Sequence, residues 1–198
     1  AILARDASKA PEVAEQLRAM EPVALANALV QGVPPRGPGV DELYREAPLP
    51  LPNLLFSRDA GMVIGDRLVV ASMRSAARQR EPLLLRFVFH HHPDLAGTPV
   101  LLDFNPAGPR NTTPTLAAPT IEGGDVLVLH EGIVVIGISE RTMQASADRL
   151  VEAMRGDPRF HTAILVFLPA TRHAMHLDTV FTRASDDECL VYAPMIVE

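Results

Sequence analysis

Apolar positions in this chain change their period along its length, and the changes mark out its elements. From Pro11 to Val30 the spacing is helical. Val13, Leu17 and Met20 fall at i, i+4 and i+7, while Val23, Leu25, Ala26, Leu29 and Val30 predict a second short helix with Pro22 in its first turn. Pro34, Pro35, Pro38, Pro48, Pro50 and Pro52 then interrupt any periodicity. This predicts a helical segment and Pro-rich linker over residues 1–46 and a second domain over 47–198.

In that second part, Asn53 to Asp59 reads as a short strand with Asn53, Leu55, Ser57 and Asp59 on one face. Met62-Val63-Ile64 and Leu68-Val69-Val70-Ala71 flank Gly65-Asp66, a hairpin pattern. Ser72 or Ser75 is placed to cap a helix from about Ala76, which Pro82 should end or kink. The apolar run Leu83 to Phe89 follows, then a strand over Pro99 to Asp103 and a Pro- and Thr-rich loop over Asn105 to Pro119. A second hairpin, Val126–Leu129 with Ile133–Ile136, precedes a helix from Arg141 to Met154 capped by Ser139, with Gly156 near its end. Ala163–Leu168, Met175–Phe181 and Cys189–Tyr192 read as strands. Hairpin, Ser, helix and strand thus occur twice in order. The fold class is α/β, and repeated ββαβ units favour a radial, propeller-like array. Two ββα units in one mixed sheet fit the same pattern.

Composition narrows the function. Hydrophobic residues make up 47% and charged residues 21% of 198, an ordinary globular balance. A net charge of -6 without a block of Lys or Arg argues against nucleic acid or an anionic membrane as partner. No apolar run approaches the roughly 20 residues that span a bilayer, and no signal-peptide pattern opens the chain. A single Cys cannot form an internal disulfide, so a cytoplasmic setting is expected.

Several polar groups sit where a core would not want them. Read as a strand, Met175–Phe181 puts His176 and Asp178 on one face. Burying both is unfavourable unless they are paired or in use. A structural His–Asp hydrogen bond is one reading; proton transfer by the histidine is the other. Glu122-Gly123-Gly124-Asp125 brackets a double glycine with carboxylates, which permits close approach of a ligand but also fits a solvated bend. Taken together, Asp59, Glu122 and Asp178 converging on one pocket would hold a guanidinium, whose planar fork matches carboxylate oxygens. Arg78 and Arg141 supply cations for a substrate carboxylate, so the set suits a guanidino amino acid. Binding of a metal by His176, Asp178 and Glu122 is the alternative chemistry. His90-His91-His92, read as extended, points its rings apart and suits a solvated surface.

Four stretches in order, Phe56-Ser57-Arg58-Asp59, Ile121-Glu122-Gly123-Gly124-Asp125, Ser139-Glu140-Arg141-Thr142 and Met175-His176-Leu177-Asp178-Thr179-Val180-Phe181, resemble the signatures of arginine deiminase, a family of the guanidino-group-modifying superfamily. The resemblance runs from about Leu51 to the end and implies a five-bladed α/β propeller, the pentein fold, of which this chain would be part. It implies that Asp59 and Asp178 bind the guanidinium of L-arginine, that His176 is general acid and base, and that Glu122 pairs with it. It further implies that Arg78, Arg141 and Asn53 hold the α-carboxylate, that Phe56 packs on the substrate stem, and that Asp125 supports the site. The reaction would be hydrolysis of L-arginine to L-citrulline and ammonia through a Cys-thiouronium intermediate, with no cofactor and no metal. An amidinotransferase and a non-catalytic guanidino-binding or assembly module are the other readings.

The family's nucleophile is a Cys near its C-terminal end, beyond anything matched here. Cys189 follows the acidic turn Asp186-Asp187-Glu188, whereas a reactive thiol needs a positive setting, so it reads as a small buried hydrophobe. The chain is therefore expected to be a partial member that does not turn over arginine, and its open sheet edges are expected to favour self-association into a homo-oligomer.

Overall fold

The computed structural model describes residues 11–32, 50–51, 53–105, 119–130 and 132–196. The expected Pro-rich linker, most of the 105–119 loop and Glu131 in the second hairpin lie outside them. The chain divides into two compact units, one of Ala1–Phe56 with Pro106–Pro114, the other of Ser57–Asn105 with Thr115–Glu198.

In the first unit, α1 (Pro11–Arg18) and α2 (Pro22–Gln31) match the two expected helices. Pro22 occupies the first turn of α2, where its missing N–H leaves no bond unmade. Ala14 and Leu17 are buried, and the Leu51 N–H donates to Val30 O at 2.8 Å. Asn53–Leu55 forms a turn closed by the Phe56 N–H on Asn53 O at 2.9 Å, so the strand expected over Asn53–Asp59 does not form.

The second unit carries the repeat. β1 (Gly61–Ile64) pairs antiparallel with β2 (Arg67–Val70), and β2 pairs parallel with β3 (Val100–Asp103). β4 (Val126–His130) pairs antiparallel with β5 (Ile133–Ile138), and β5 pairs parallel with β6 (Thr162–Phe167). Helix α3 (Glu81–His91) connects β2 to β3, and α4 (Gln144–Met154) connects β5 to β6. The two halves therefore share one ββαβ topology. Both hairpin turns use a glycine at positive φ, Gly65 at 64° and Gly132 at 81°, as tight turns of this kind require. The apolar faces meet in one core that includes Ile64 and Val69 from the first sheet, Val134 and Ile136 from the second, and Ala147 and Leu150 from α4. A reciprocal pair of backbone bonds between Ser72 and Ile121, each 3.0 Å, ties the halves together. β7 (Phe181–Arg183) and β8 (Cys189–Val191) form a separate antiparallel pair, and α5 (Ala193–Ile196) follows. Among the described residues no helix is long and apolar enough to cross a membrane.

Several expected elements are revised. Pro82 does not end a helix: it sits in the first turn of α3, which takes in the apolar run Leu83–Phe89, and only a 3-10 turn, Ala76–Arg78, precedes it. His90 and His91 lie in the last turn of α3, with His92 at its C-cap, so the triplet is not extended. Ser139 does not cap α4, since the N-cap residue is Met143; its Oγ instead accepts the Arg141 and Thr142 N–H groups in the turn before. Cys189 is exposed rather than buried, in a two-stranded pair whose Leu190 and Val191 are also exposed.

The expected strand Met175–Phe181 is mostly a turn. His176 is extended (φ -138°, ψ 158°), Leu177–Thr179 is a 3-10 turn, and strand structure begins only at Phe181. Side chains take the backbone groups a sheet would need: Asp125 Oδ1 accepts the Leu177 N–H at 2.8 Å, and the Thr179 hydroxyl lies 2.6 Å from His176 O.

Candidate active site

Three 3-10 turns carry the acidic groups of the candidate site, all in the second unit. Ser57–Ala60 holds Asp59, Gly123–Asp125 follows Glu122 and ends on Asp125, and Leu177–Thr179 holds Asp178 beside His176. The turns can meet because the double glycine lets them. A Cβ at Gly123 would stand 2.0 Å from Arg58 O, and one at Gly124 would stand 2.9 Å from His176 Nδ1 and 3.0 Å from Asp59 Oδ1. Gly137 of β5 makes similar room, since a Cβ there would stand 2.6 Å from Asp125 Oδ1.

His176 is buried and sits between two carboxylates. Its Nε2 lies 2.9 Å from Glu122 Oε2, and its Nδ1 lies 3.8 Å from Asp59 Oδ1. An ionised carboxylate only accepts, so Nε2 carries the hydrogen of that bond. Burial alone would favour the neutral ring. The hydrogen bond to Glu122 and the charges of Asp125, Asp59 and Glu122 outweigh it, and His176 holds its proton above the ordinary histidine range.

Glu122, fully buried, is held at every side. Its Oε1 accepts the Arg74 N–H at 2.8 Å, its own N–H donates to Thr142 Oγ1 at 3.1 Å, and Arg141 Nη1 lies 3.9 Å from Oε1. Asp125, also fully buried, accepts from the Ser139 hydroxyl at 2.7 Å as well as from the Leu177 N–H. Burial still pushes its carboxyl above the usual aspartate range, against those bonds. Burial raises Asp178 in the same way; His176 and Arg58 pull it down, and the Asp59 charge adds to the rise. Arg58 Nε is 3.7 Å from Asp178 Oδ2.

Arg78 is only 4% exposed, and its guanidinium reaches Asp59 Oδ2 through Nη1 at 2.8 Å and Glu81 Oε2 through Nη2 at 2.8 Å. Nε adds bonds of 3.0 and 3.1 Å to the two Glu81 oxygens. Burial works against the charge, but Glu81 and Asp59 outweigh it and keep the proton more firmly than in a free arginine.

The fold therefore brings Asp59, Glu122, Asp125, His176, Asp178, Arg78 and Arg141 into one neighbourhood. Asn53 and Phe56 belong to the other compact unit, and both are exposed there. Four contributors carry no site role in the sequence reading: Arg58, Glu81, Ser139 and Thr142. Glu81 follows Arg78 by three residues, a spacing that pairs side chains across one turn, and this was the signal available for it. Donor atoms of Asp59, Glu122 and His176 lie within 4.8 Å of one another, a spacing a metal could bridge. Arg78 Nη1 already brings a cation to Asp59 and stands 3.9 Å from Glu122 Oε2, which weighs against a metal there.

Comparison with known proteins gives the chain its family. The family model described as arginine deiminase matches residues 43–198. An arginine deiminase of Mycobacterium marinum is 35% identical over 96% of this chain and 47% of its own length, and one of Mycobacterium avium is 34% identical over 94% and 46%. The chain thus spans about half the length of the curated relatives it matches. Among solved structures, the N-terminal domain of ArgZ, described as a cyanobacterial arginine dihydrolase, superposes with a TM-score of 0.55 at 22% identity, over 73% of this chain and 46% of that one. SxtG, an amidinotransferase from Microseira wollei, gives 0.53 at 17% identity over 68% and 41%. These likenesses show a common fold, and the matches in sequence settle the rest: the chain belongs to the arginine deiminase family.

Proposed function

We propose that this chain carries the guanidinium-binding and proton-transfer groups of an arginine deiminase, acting on L-arginine. The observation that supports this most is the His176–Glu122 contact of 2.9 Å beside Asp59. It leaves an imidazole charged above the usual histidine range, with Nε2 tied to Glu122 and Nδ1 as the nitrogen that gives and takes a proton. Asp178, in the next turn, and Asp59 grip the cationic guanidinium. Arg141, partly exposed, suits the substrate carboxylate better than Arg78, whose fork is already shared between Asp59 and Glu81.

The chemistry follows from those roles. A thiolate forms a C–S bond to the guanidinium carbon, and the C–N bond breaks as ammonia leaves with a proton from His176. His176 then takes a proton from water, a C–O bond forms, the C–S bond breaks, and citrulline is released. In this reading the two ββαβ units correspond to blades of a five-bladed propeller. Cys189 does not match the family's nucleophile, so this chain alone forms no citrulline. The test is titration with L-arginine followed through the His176 ring resonances. Saturable shifts are expected, and an unmoved ring overturns the reading. A citrulline assay on the same preparation is expected to read zero; turnover would overturn the placing of the nucleophile outside these residues.

A further inference from the structure

Arg58 lies in the stretch Phe56-Ser57-Arg58-Asp59, next to a site aspartate, and the reaction outlined above gives it no task. Two of its N–H groups are nonetheless directed at backbone carbonyls. Nε–H donates to Gly123 O at 3.3 Å, Nη2–H donates to Val126 O at 3.2 Å, and Nε stands 3.7 Å from Asp178 Oδ2. The two carbonyls bracket the Gly123–Asp125 turn, which directly follows Glu122 and includes Asp125. The contact is returned by the backbone, because Gly123 packs so closely on Arg58 O that no Cβ fits between them. One side chain therefore links the turn of Asp59, the turn between Glu122 and Asp125, and the turn of Asp178.

We propose that Arg58 is a positioning residue of the guanidinium site, its fork fixing the Gly123 and Val126 carbonyls while its charge orients Asp178 towards a cationic substrate. The ligand in this inference rests on the arginine deiminase reading; the contact itself does not. The side chain of Arg58 is 50% exposed, and an exposed ion pair by itself contributes little. The two carbonyl bonds change that, because they hold the guanidinium in place before Asp178 is engaged, so less freedom is lost in orienting the carboxylate. A lysine cannot bridge two carbonyls in this way. Asp178 meets Arg58 as an ion pair at 3.7 Å, not as a hydrogen-bond acceptor, so its lone pairs stay open to a substrate guanidinium.

The test uses the whole chain with Arg58→Lys, Arg58→Met, Asp178→Asn and the double variant Arg58→Met with Asp178→Asn. L-Arginine affinity is measured by calorimetry, and the Arg58 Nε–H signal by nitrogen-15 NMR. Arg58→Met is expected to weaken L-arginine binding about tenfold or more, with Arg58→Lys recovering little of it. Adding Asp178→Asn to Arg58→Met is expected to weaken binding by less than it does in the wild-type chain, as for two residues acting together. The Nε–H signal is expected to be slow to exchange and to shift on Asp178→Asn. An Nε–H signal indifferent to Asp178→Asn overturns the proposal, as does full affinity in Arg58→Met. If Arg58→Met does not fold, Arg58→Lys carries the affinity test, and wild-type affinity there is likewise fatal. A wild-type chain that ignores L-arginine while its Nε–H responds to Asp178→Asn keeps the positioning role and removes the deiminase reading instead.

Discussion

His176 Nε2 lies 2.9 Å from Glu122 Oε2, although 54 positions separate them in the chain. The contact sets a dependence of stability on pH. A histidine raised by folding contributes stability that is fully present below its unfolded value, about 6.5, and is lost as pH rises through the folded value. Unfolding free energy from urea titrations is expected to fall with pH from about 6.5 upward, and Glu122→Gln is expected to flatten that fall. Slopes are the quantity to compare, because loss of the Glu122 charge beside Arg78 and Arg141 shifts the whole curve. Equal slopes in both chains would contradict the contact.

Arg78 is buried between Asp59 and Glu81, so truncating it strands two carboxylates. Arg78→Met is expected to lower stability by about 3–5 kcal/mol. Adding Glu81→Gln to Arg78→Met should return part of the loss, since one uncompensated charge is removed. A second substitution that deepens the loss would refute the pairing.

The double glycine is required for two different reasons, and the two alanine variants should differ. Gly124→Ala pushes on the side chains of His176 and Asp59 rather than on backbone, and is expected to cost about 1–3 kcal/mol. Gly123→Ala meets backbone at 2.0 Å and is expected to cost more. Equilibrium denaturation of both variants decides this; the reverse order would show that the turns do not meet as described.

Cys189 is exposed on β8 and lies outside the acidic cluster. It is expected to react with a thiol reagent in the native chain at a rate similar to that in the unfolded chain, and Cys189→Ser should leave L-arginine binding unchanged. Protection of the thiol, or loss of binding in the serine variant, would bring Cys189 back as a working residue.

The repeat was legible because its apolar runs are long and end on glycine turns. Both hairpins and their parallel third strands appear where the pattern puts them. The residues of the site were legible for another reason: carboxylates and a histidine in apolar company stand out whatever the backbone does. Their local conformation was not. Leu177, Val180 and Phe181 suit a strand, so the sequence by itself puts His176 and Asp178 on one. The bonds from Asp125 and Thr179 that wind this stretch into a turn come partly from distant sequence. Pro82 misled for a similar reason, since a proline that ends one helix and one that begins the next look alike without the turn before it.

The most direct test of the central claim uses Asp178, where binding and stability should move in opposite directions. Burial keeps its carboxyl above the usual range, so its charge works against folding at neutral pH while serving a guanidinium. Calorimetry with L-arginine, paired with thermal unfolding of Asp178→Asn at pH 7, is expected to show weaker binding together with a higher melting temperature. Unchanged affinity for L-arginine in Asp178→Asn would contradict the assignment of this cluster to a guanidino substrate.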